Sequence, residues 1–136
     1  VLETLGVPVI AYGQDELPAF WSRASGLMAP LRLDTPAAIA KAHVMRAALG
    51  VPGGQLITNP IPAADEIPLP QMQQVVETAI RDAIAHGITG KAVTPFLLDR
   101  IFRLTEGRSL AANIALVLNN ARLAAEIAKE LITMRP

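Results

Sequence analysis

The chain has 136 residues, with 12 Lys+Arg balanced by 12 Asp+Glu, a formal net charge of zero and no cysteine. At 51% hydrophobic it has ample material for one packed domain and too much for a disordered chain. Balanced charge argues against a nucleic-acid partner, and no apolar run reaches the roughly 18 residues of a membrane span. Without cysteine there are no disulfides, thiolate zinc sites or cysteine nucleophiles, a composition that suits the reducing cytoplasm.

Helix formers are abundant, with 23 Ala and 17 Leu. Val1-Leu2-Glu3-Thr4-Leu5-Gly6 reads as the tail of a helix capped by Gly6, and the expectation is a piece of a longer protein. Val7 to Tyr12 is a short apolar, β-branched run that predicts a buried strand, with Pro8 tolerated near its start. Residues 13–30 are punctuated by Gly, Pro and Ser and read as a loop around an aromatic pair, Phe20-Trp21. Leu31-Arg32-Leu33 is a second short strand.

Asp34-Thr35-Pro36 is a cap followed by a helix-starting proline, and Gly50 marks the stop. Ala38, Ala42, Met45 and Leu49 form the expected apolar stripe of that helix. Gln55 to Thr58 is a third strand. Strand, helix and strand with short connections predict a βαβ unit with parallel pairing. Asn59-Pro60-Ile61-Pro62 leaves the carboxyl end of that strand, where parallel sheets bind ligands.

The rest is helical. Pro70 starts a helix that carries Met72, Val75, Val76, Ala79, Ile80, Ala83 and Ile84 inward and closes at His86-Gly87. Thr94-Pro95 repeats the cap-then-proline pattern and opens a helix to Thr105. Ser109 is expected to cap a last helix that runs to about Ile132. In it Asn113, Val117, Asn120, Ala124, Ile127 and Leu131 recur every three or four residues and line one seam. Asn119, Arg122, Glu126, Lys129 and Thr133 fall on another face and read as solvated. Asn113 and Asn120 thus lie on an apolar face, where an unpaired amide costs about 1–3 kcal/mol unless backbone or ligand matches it. The fold class is α/β: a parallel βαβ unit followed by a helical carboxyl-terminal region.

No other residue makes a convincing site. His43 and His86 are isolated, and Asp65-Glu66 is an adjacent pair whose side chains need not converge. Gly50, Gly53 and Gly54 stand between helix and strand, the wrong side of the unit for a dinucleotide loop. Lys41, Lys91 and Lys129 lack the buried apolar setting that depresses a nucleophilic lysine. No metal ligand set is expected.

Taken in order, several strings resemble the pseudouridine-5'-phosphate glycosidase family, also described as indigoidine synthase A-like. They are Leu2-Glu3-Thr4-Leu5-Gly6-Val7-Pro8-Val9, Pro18-Ala19-Phe20, Leu31-Arg32-Leu33-Asp34 and Asn59-Pro60-Ile61-Pro62. Gly90-Lys91, Thr94-Pro95-Phe96-Leu97-Leu98, Ser109-Leu110, Asn113-Ile114, Asn119-Asn120-Ala121 and Ala125-Glu126-Ile127-Ala128 continue the match. The resemblance covers nearly the whole chain and only the carboxyl-terminal half of the family, so residues 1–136 would be part of a larger α/β/α domain.

The resemblance implies an enzyme, a lyase-type glycosidase of pseudouridine catabolism. It reversibly cleaves the C–C glycosidic bond of pseudouridine 5'-phosphate to uracil and ribose 5-phosphate. It further implies a lysine Schiff base, a proton-donating glutamate, a divalent metal (manganese), a homotrimer and a cytoplasmic location. The family's lysines, glutamate and metal-binding aspartate match nothing in this chain, so the fragment alone is expected to be inactive. One active-site position carries over: Asn113, as the catalytic and substrate-binding residue that bonds the sugar phosphate or holds a catalytic group. Two other readings stay open on the residues alone: a non-catalytic assembly domain and a sugar-phosphate-binding regulatory domain.

Overall fold

The structure, a computed structural model, describes residues 2–134, so Val1 of the expected helix end lies outside it. Glu3–Leu5 form one 3-10 turn, and Gly6 ends it with a left-handed φ of 74°. Strand β1 (Val9–Tyr12) follows, then β2 (Leu31–Leu33), helix α1 (Pro36–Ala48) and β3 (Leu56–Thr58). Helices α2 (Leu69–Ala85), α3 (Val93–Leu104) and α4 (Arg108–Thr133) complete the chain. The class is α/β, as the sequence predicts.

All strands pair in parallel, in the order β2-β1-β3. Ile10 stands between Leu31 and Ile57, and Ala11 between Arg32 and Thr58. The βαβ unit therefore differs from expectation: β2 and β3 do not pair with each other, and α1 carries the chain across β1. Composition explains the order. Ile10 and Ala11 are adjacent and point to opposite faces, yet both are buried, as a strand covered on both sides requires. The outer strands carry polar residues that tolerate an edge. Arg32 in β2 pairs with Asp15 at 3.0 Å and Asp34 at 2.7 Å.

Helix α1 begins as predicted: the Thr35 hydroxyl accepts the Ala38 N–H at 3.1 Å, and Pro36 takes the first helical position. Its stripe is different. Ile39 and Ala40 are buried, whereas Met45 is 51% and Leu49 74% exposed. Ile39 is the largest apolar side chain in the first two turns, so turning it inward removes more area from water than the alanine row does. Pro70 stands at the start of α2 as expected, and Met72, Ala79 and Ala83 are buried, while Ile80 and Ile84 stay exposed.

Two caps are reassigned. Thr94 is not the cap of α3, because a 3-10 turn at Gly90–Ala92 runs straight into Val93. Ser109 is not the cap of α4, because left-handed Glu106 (φ 51°) and Gly107 (φ 82°) start that helix at Arg108. Thr105 does the capping instead. Its hydroxyl accepts the Ser109 N–H at 3.2 Å and donates to the Ile101 carbonyl at 2.8 Å.

The core cluster joins Ile61, Ile67, Met72, Ala79, Ile101 and Ala112, with Trp21 and Leu116 packed against it. It lies among α2, α3, α4 and the loop after β3. The inward row of α4 is Ser109, Ala112, Leu116 and Leu123, one residue back from the expected seam. One residue is about 100° of helix rotation. Asn113, Ile127 and Leu131 remain half-buried at the margin, but Val117 is 57% exposed and Asn120 and Ala124 are exposed. Both rows are apolar, so periodicity alone does not choose between them.

Candidate functional site: the Asn113 cavity and the strand-exit asparagines

The carboxyl ends of β1, β2 and β3 point toward one end of the sheet, and Asn59-Pro60 leaves there directly after Thr58. The Asn59 side-chain N–H donates to Asn120 Oδ1 at 3.1 Å. The Asn119 side-chain N–H donates to the Pro60 carbonyl at 3.0 Å. Asn119, expected on a solvated face, is therefore half-buried and bonded. Its adjacency to Asn120 was the available signal: two successive amides can serve two different neighbours.

The loop 13–30 presents the aromatic pair. A tight turn closed by Ser22 N–H to Ala19 O at 2.6 Å puts Phe20 and Trp21 at its tip. Their rings meet edge-on, with centroids 4.7 Å apart and planes at 78°. The buried Ser22 hydroxyl donates to Ile67 O at 2.6 Å, so its polar atom is matched. Ile67 N–H donates to Trp21 O at 2.9 Å, and Arg23 Nη1 donates to Ile61 O at 2.7 Å. The indole N–H of Trp21 reaches the Ser109 carbonyl on α4 at 3.1 Å. Two loops and a helix are thus tied into one frame.

Inside that frame is a cavity of about 140 Å³, lined by Phe20, Trp21, Leu98, Phe102, Ser109, Leu110 and Asn113. Asn113 brings its only amide. Among the described residues no hydrogen bond engages that side chain, so its donors and acceptor are available to a ligand. No titratable side chain lines the cavity. By itself it can bind and orient a polar group against an aromatic wall, but it cannot supply a general acid, base or amine nucleophile.

Asn113 and Asn120 are two turns apart on α4, about 10 Å along its axis, so they serve different places. Asn120 lines a second hollow with Asn59, Gln55, Ile57 and Leu123, between β3 and α4. The remaining candidates stay apart. Lys41, Lys91, Lys129 and His43 are exposed. Exposed His86 donates from Nδ1 to Asp82 O at 2.7 Å. Asp65 is exposed, while Glu66 accepts the Arg23 backbone N–H at 2.7 Å, so the acidic pair does not converge. Arg100 of α3 pairs with Asp82 of α2 at 2.6 Å, and within α3 Arg103 pairs with Asp99 one turn away at 2.9 Å, which leaves those charges matched. Among the described residues no three His, Asp or Glu gather as a metal would need, and no helix is long and apolar enough to cross a membrane.

Comparison with known proteins gives this geometry a context. The family model described as indigoidine synthase A like protein matches residues 1–130. A pseudouridine-5'-phosphate glycosidase of Paracoccus denitrificans is 68% identical over 133 residues, which is 98% of this chain and 44% of that protein. One of Roseobacter denitrificans is 63% identical over 97% of this chain and 43% of its own length. The chain thus spans less than half the length of these relatives. Among solved structures, the prealnumycin C-glycosynthase AlnA, in complex with ribulose 5-phosphate, superposes with a TM-score of 0.86 at 32% identity. That match covers 96% of this chain and 43% of AlnA. An indigoidine synthase A-like protein of Thermotoga maritima matches at TM-score 0.80 and 32% identity, over 98% of this chain and 43% of its own. A match over residues 1–130, a shared fold and this level of identity lead to one conclusion: the chain belongs to the indigoidine synthase A-like family.

Proposed function

We propose that residues 1–136 are the carboxyl-terminal part of a pseudouridine-5'-phosphate glycosidase, which reversibly splits pseudouridine 5'-phosphate into uracil and ribose 5-phosphate. The observation that carries this reading is 68% identity, over 98% of the chain, to a protein of that name. The unengaged Asn113 amide, held at an aromatic-walled cavity, gives the reading a residue. Asn113 hydrogen-bonds the sugar phosphate or the group that acts on it, and Phe20 and Trp21 wall the cavity beside it. AlnA, similar in fold over this region, has been seen with a sugar phosphate.

Breaking a C–C bond to a heterocycle needs an electron sink, and a lysine Schiff base at the sugar carbon provides one. The three lysines of this chain are exposed and far from such a setting. The family resemblance puts the nucleophile, the proton-donating carboxyl and the manganese ligand in the part of the relatives that this chain does not span. The described residues do not fit manganese, since no three acidic or histidine side chains gather among them. A homotrimer and a cytoplasmic location complete the proposal. A sugar-phosphate-binding role without catalysis is the second reading, favoured by a cavity that lacks titratable side chains.

A chimera tests this. The chain is joined to the amino-terminal portion of the Paracoccus relative and assayed for uracil release from pseudouridine 5'-phosphate, beside the chain alone. The chimera is expected to be active and the chain alone silent. An inactive, folded chimera next to an active intact Paracoccus protein would sink the proposal, and activity of the chain alone would overturn the placement of the nucleophile outside it.

A further inference from the structure

We propose that Asn119 and Asn120 are positioning residues that set the rotation of α4 about its axis and thereby aim the Asn113 amide into the Phe20–Trp21 cavity. The functional weight of this rests on Asn113 being a ligand-binding residue.

Helix α4 is 26 residues long and is held in its first turn by Trp21 Nε1 to Ser109 O. The Thr105 hydroxyl accepts the Ser109 N–H in the same turn, so both anchors act at one end of a long helix and leave its middle to be oriented by other contacts. Hydrophobic packing buries one row of the helix but does not by itself single out its azimuth. Leu110, Ile114, Val117 and Leu118 are each about half exposed, a second apolar row that competes with Ala112, Leu116 and Leu123 for the core. Polar contacts that can form in only one register are what specify such a helix.

Asn119 and Asn120 project about 100° apart around the axis. Asn119 donates to Pro60 O, and Asn120 accepts from Asn59 Nδ2. Two bonds at two azimuths, to successive residues of one loop, resist rotation in both senses. The loop is itself fixed: Pro60 and Ile61 are buried, and Arg23 holds the Ile61 carbonyl. A side-chain tip lies about 5–6 Å from a helix axis, so a rotation of about 10° moves the Asn113 amide by about 1 Å. A misplacement of about 1 Å is enough to cost about 100-fold in a catalysed rate.

The two asparagines have unequal roles, which separates positioning from bulk stability. Asn120 acts through an acceptor oxygen, and Asn120→Asp keeps it. Asn119 acts through a donor, and Asn119→Asp loses it and sets a carboxylate against the Pro60 carbonyl. The readout is the 15N side-chain signal of Asn113 in this chain, assigned by its disappearance in Asn113→Ala. Asn119→Asp and Asn120→Ala are expected to shift or split that signal, and Asn120→Asp to leave it in place. If Asn119→Asp does not fold, the Asn120→Ala and Asn120→Asp pair decides by the same comparison. An Asn113 signal unmoved in the folded Asn119→Asp and Asn120→Ala variants overturns the proposal, as does one moved equally by all three substitutions. Titration with ribose 5-phosphate is scored separately: binding unaffected by Asn113→Ala sinks the ligand-binding reading and leaves the positioning result standing.

Discussion

Trp21 and Ser109 lie 88 positions apart in the chain and are joined by one hydrogen bond, indole N–H to carbonyl, at 3.1 Å. The helical partner of that same carbonyl is the N–H of residue 113, four positions on. The aromatic loop therefore grips α4 one turn before the amide that it faces across the cavity.

Trp21→Phe keeps an aromatic ring and removes that donor. The expected cost is about 1 kcal/mol, the net worth of one hydrogen bond, read from the urea midpoint at unchanged slope. An unchanged midpoint would show that the bond contributes nothing to holding the loop on α4.

Asn113→Ala in an active chimera is expected to lower turnover by about tenfold or more, the scale of one or two hydrogen bonds to a charged ligand. Asn113→Asp should do the same, since it keeps size but loses the amide donor. Melting temperature should change little, because no protein partner is lost among the described residues. A clear drop in melting temperature with near-normal turnover would mark Asn113 as structural.

Manganese titrated into the chain alone should give no stoichiometric heat, because hard cations need converging oxygen ligands and the described residues offer no such group. A one-to-one isotherm would contradict this and relocate the metal site.

Gly107→Ala should destabilise the chain by about 1–2 kcal/mol, the cost of a left-handed residue with a Cβ. Its φ is 82°, and the new carbon would lie 3.4 Å from the Phe102 ring that lines the cavity. Gly54 has no left-handed φ and open space around it, so Gly54→Ala should be neutral or slightly stabilising. Equal thermal shifts for the two substitutions would refute this account of the α3–α4 turn.

Much of the local structure was legible in the residues. Gly6 and Gly50 end their elements in the left-handed region, Thr35-Pro36 starts α1, and Asn59 sits at the carboxyl end of a parallel strand. Each of these is decided by neighbours a few positions away, so the chain carries the signal in place. The ordered strings that resemble the family were legible too, and the family model matches residues 1–130; the structure puts Asn113, which those strings single out, at a cavity.

Other features depended on groups distant in sequence. The row of α4 that faces the core is set by Trp21, Pro60 and the packed helices, and a helix with two apolar rows does not announce which one they select. The bonding of Asn119 is part of that choice, since a rotation of one residue would have left it in water. Strand order was open for a related reason: the polar Arg32 and Thr58 of β2 and β3 suit edge strands, but that preference selects an order only once both faces of β1 are buried in the folded chain. Caps, turns and periodicity come from short-range sterics and hydrogen bonding. Azimuth and order come from which distant surfaces bury the most apolar area without orphaning a polar atom, and only the folded chain brings those surfaces together.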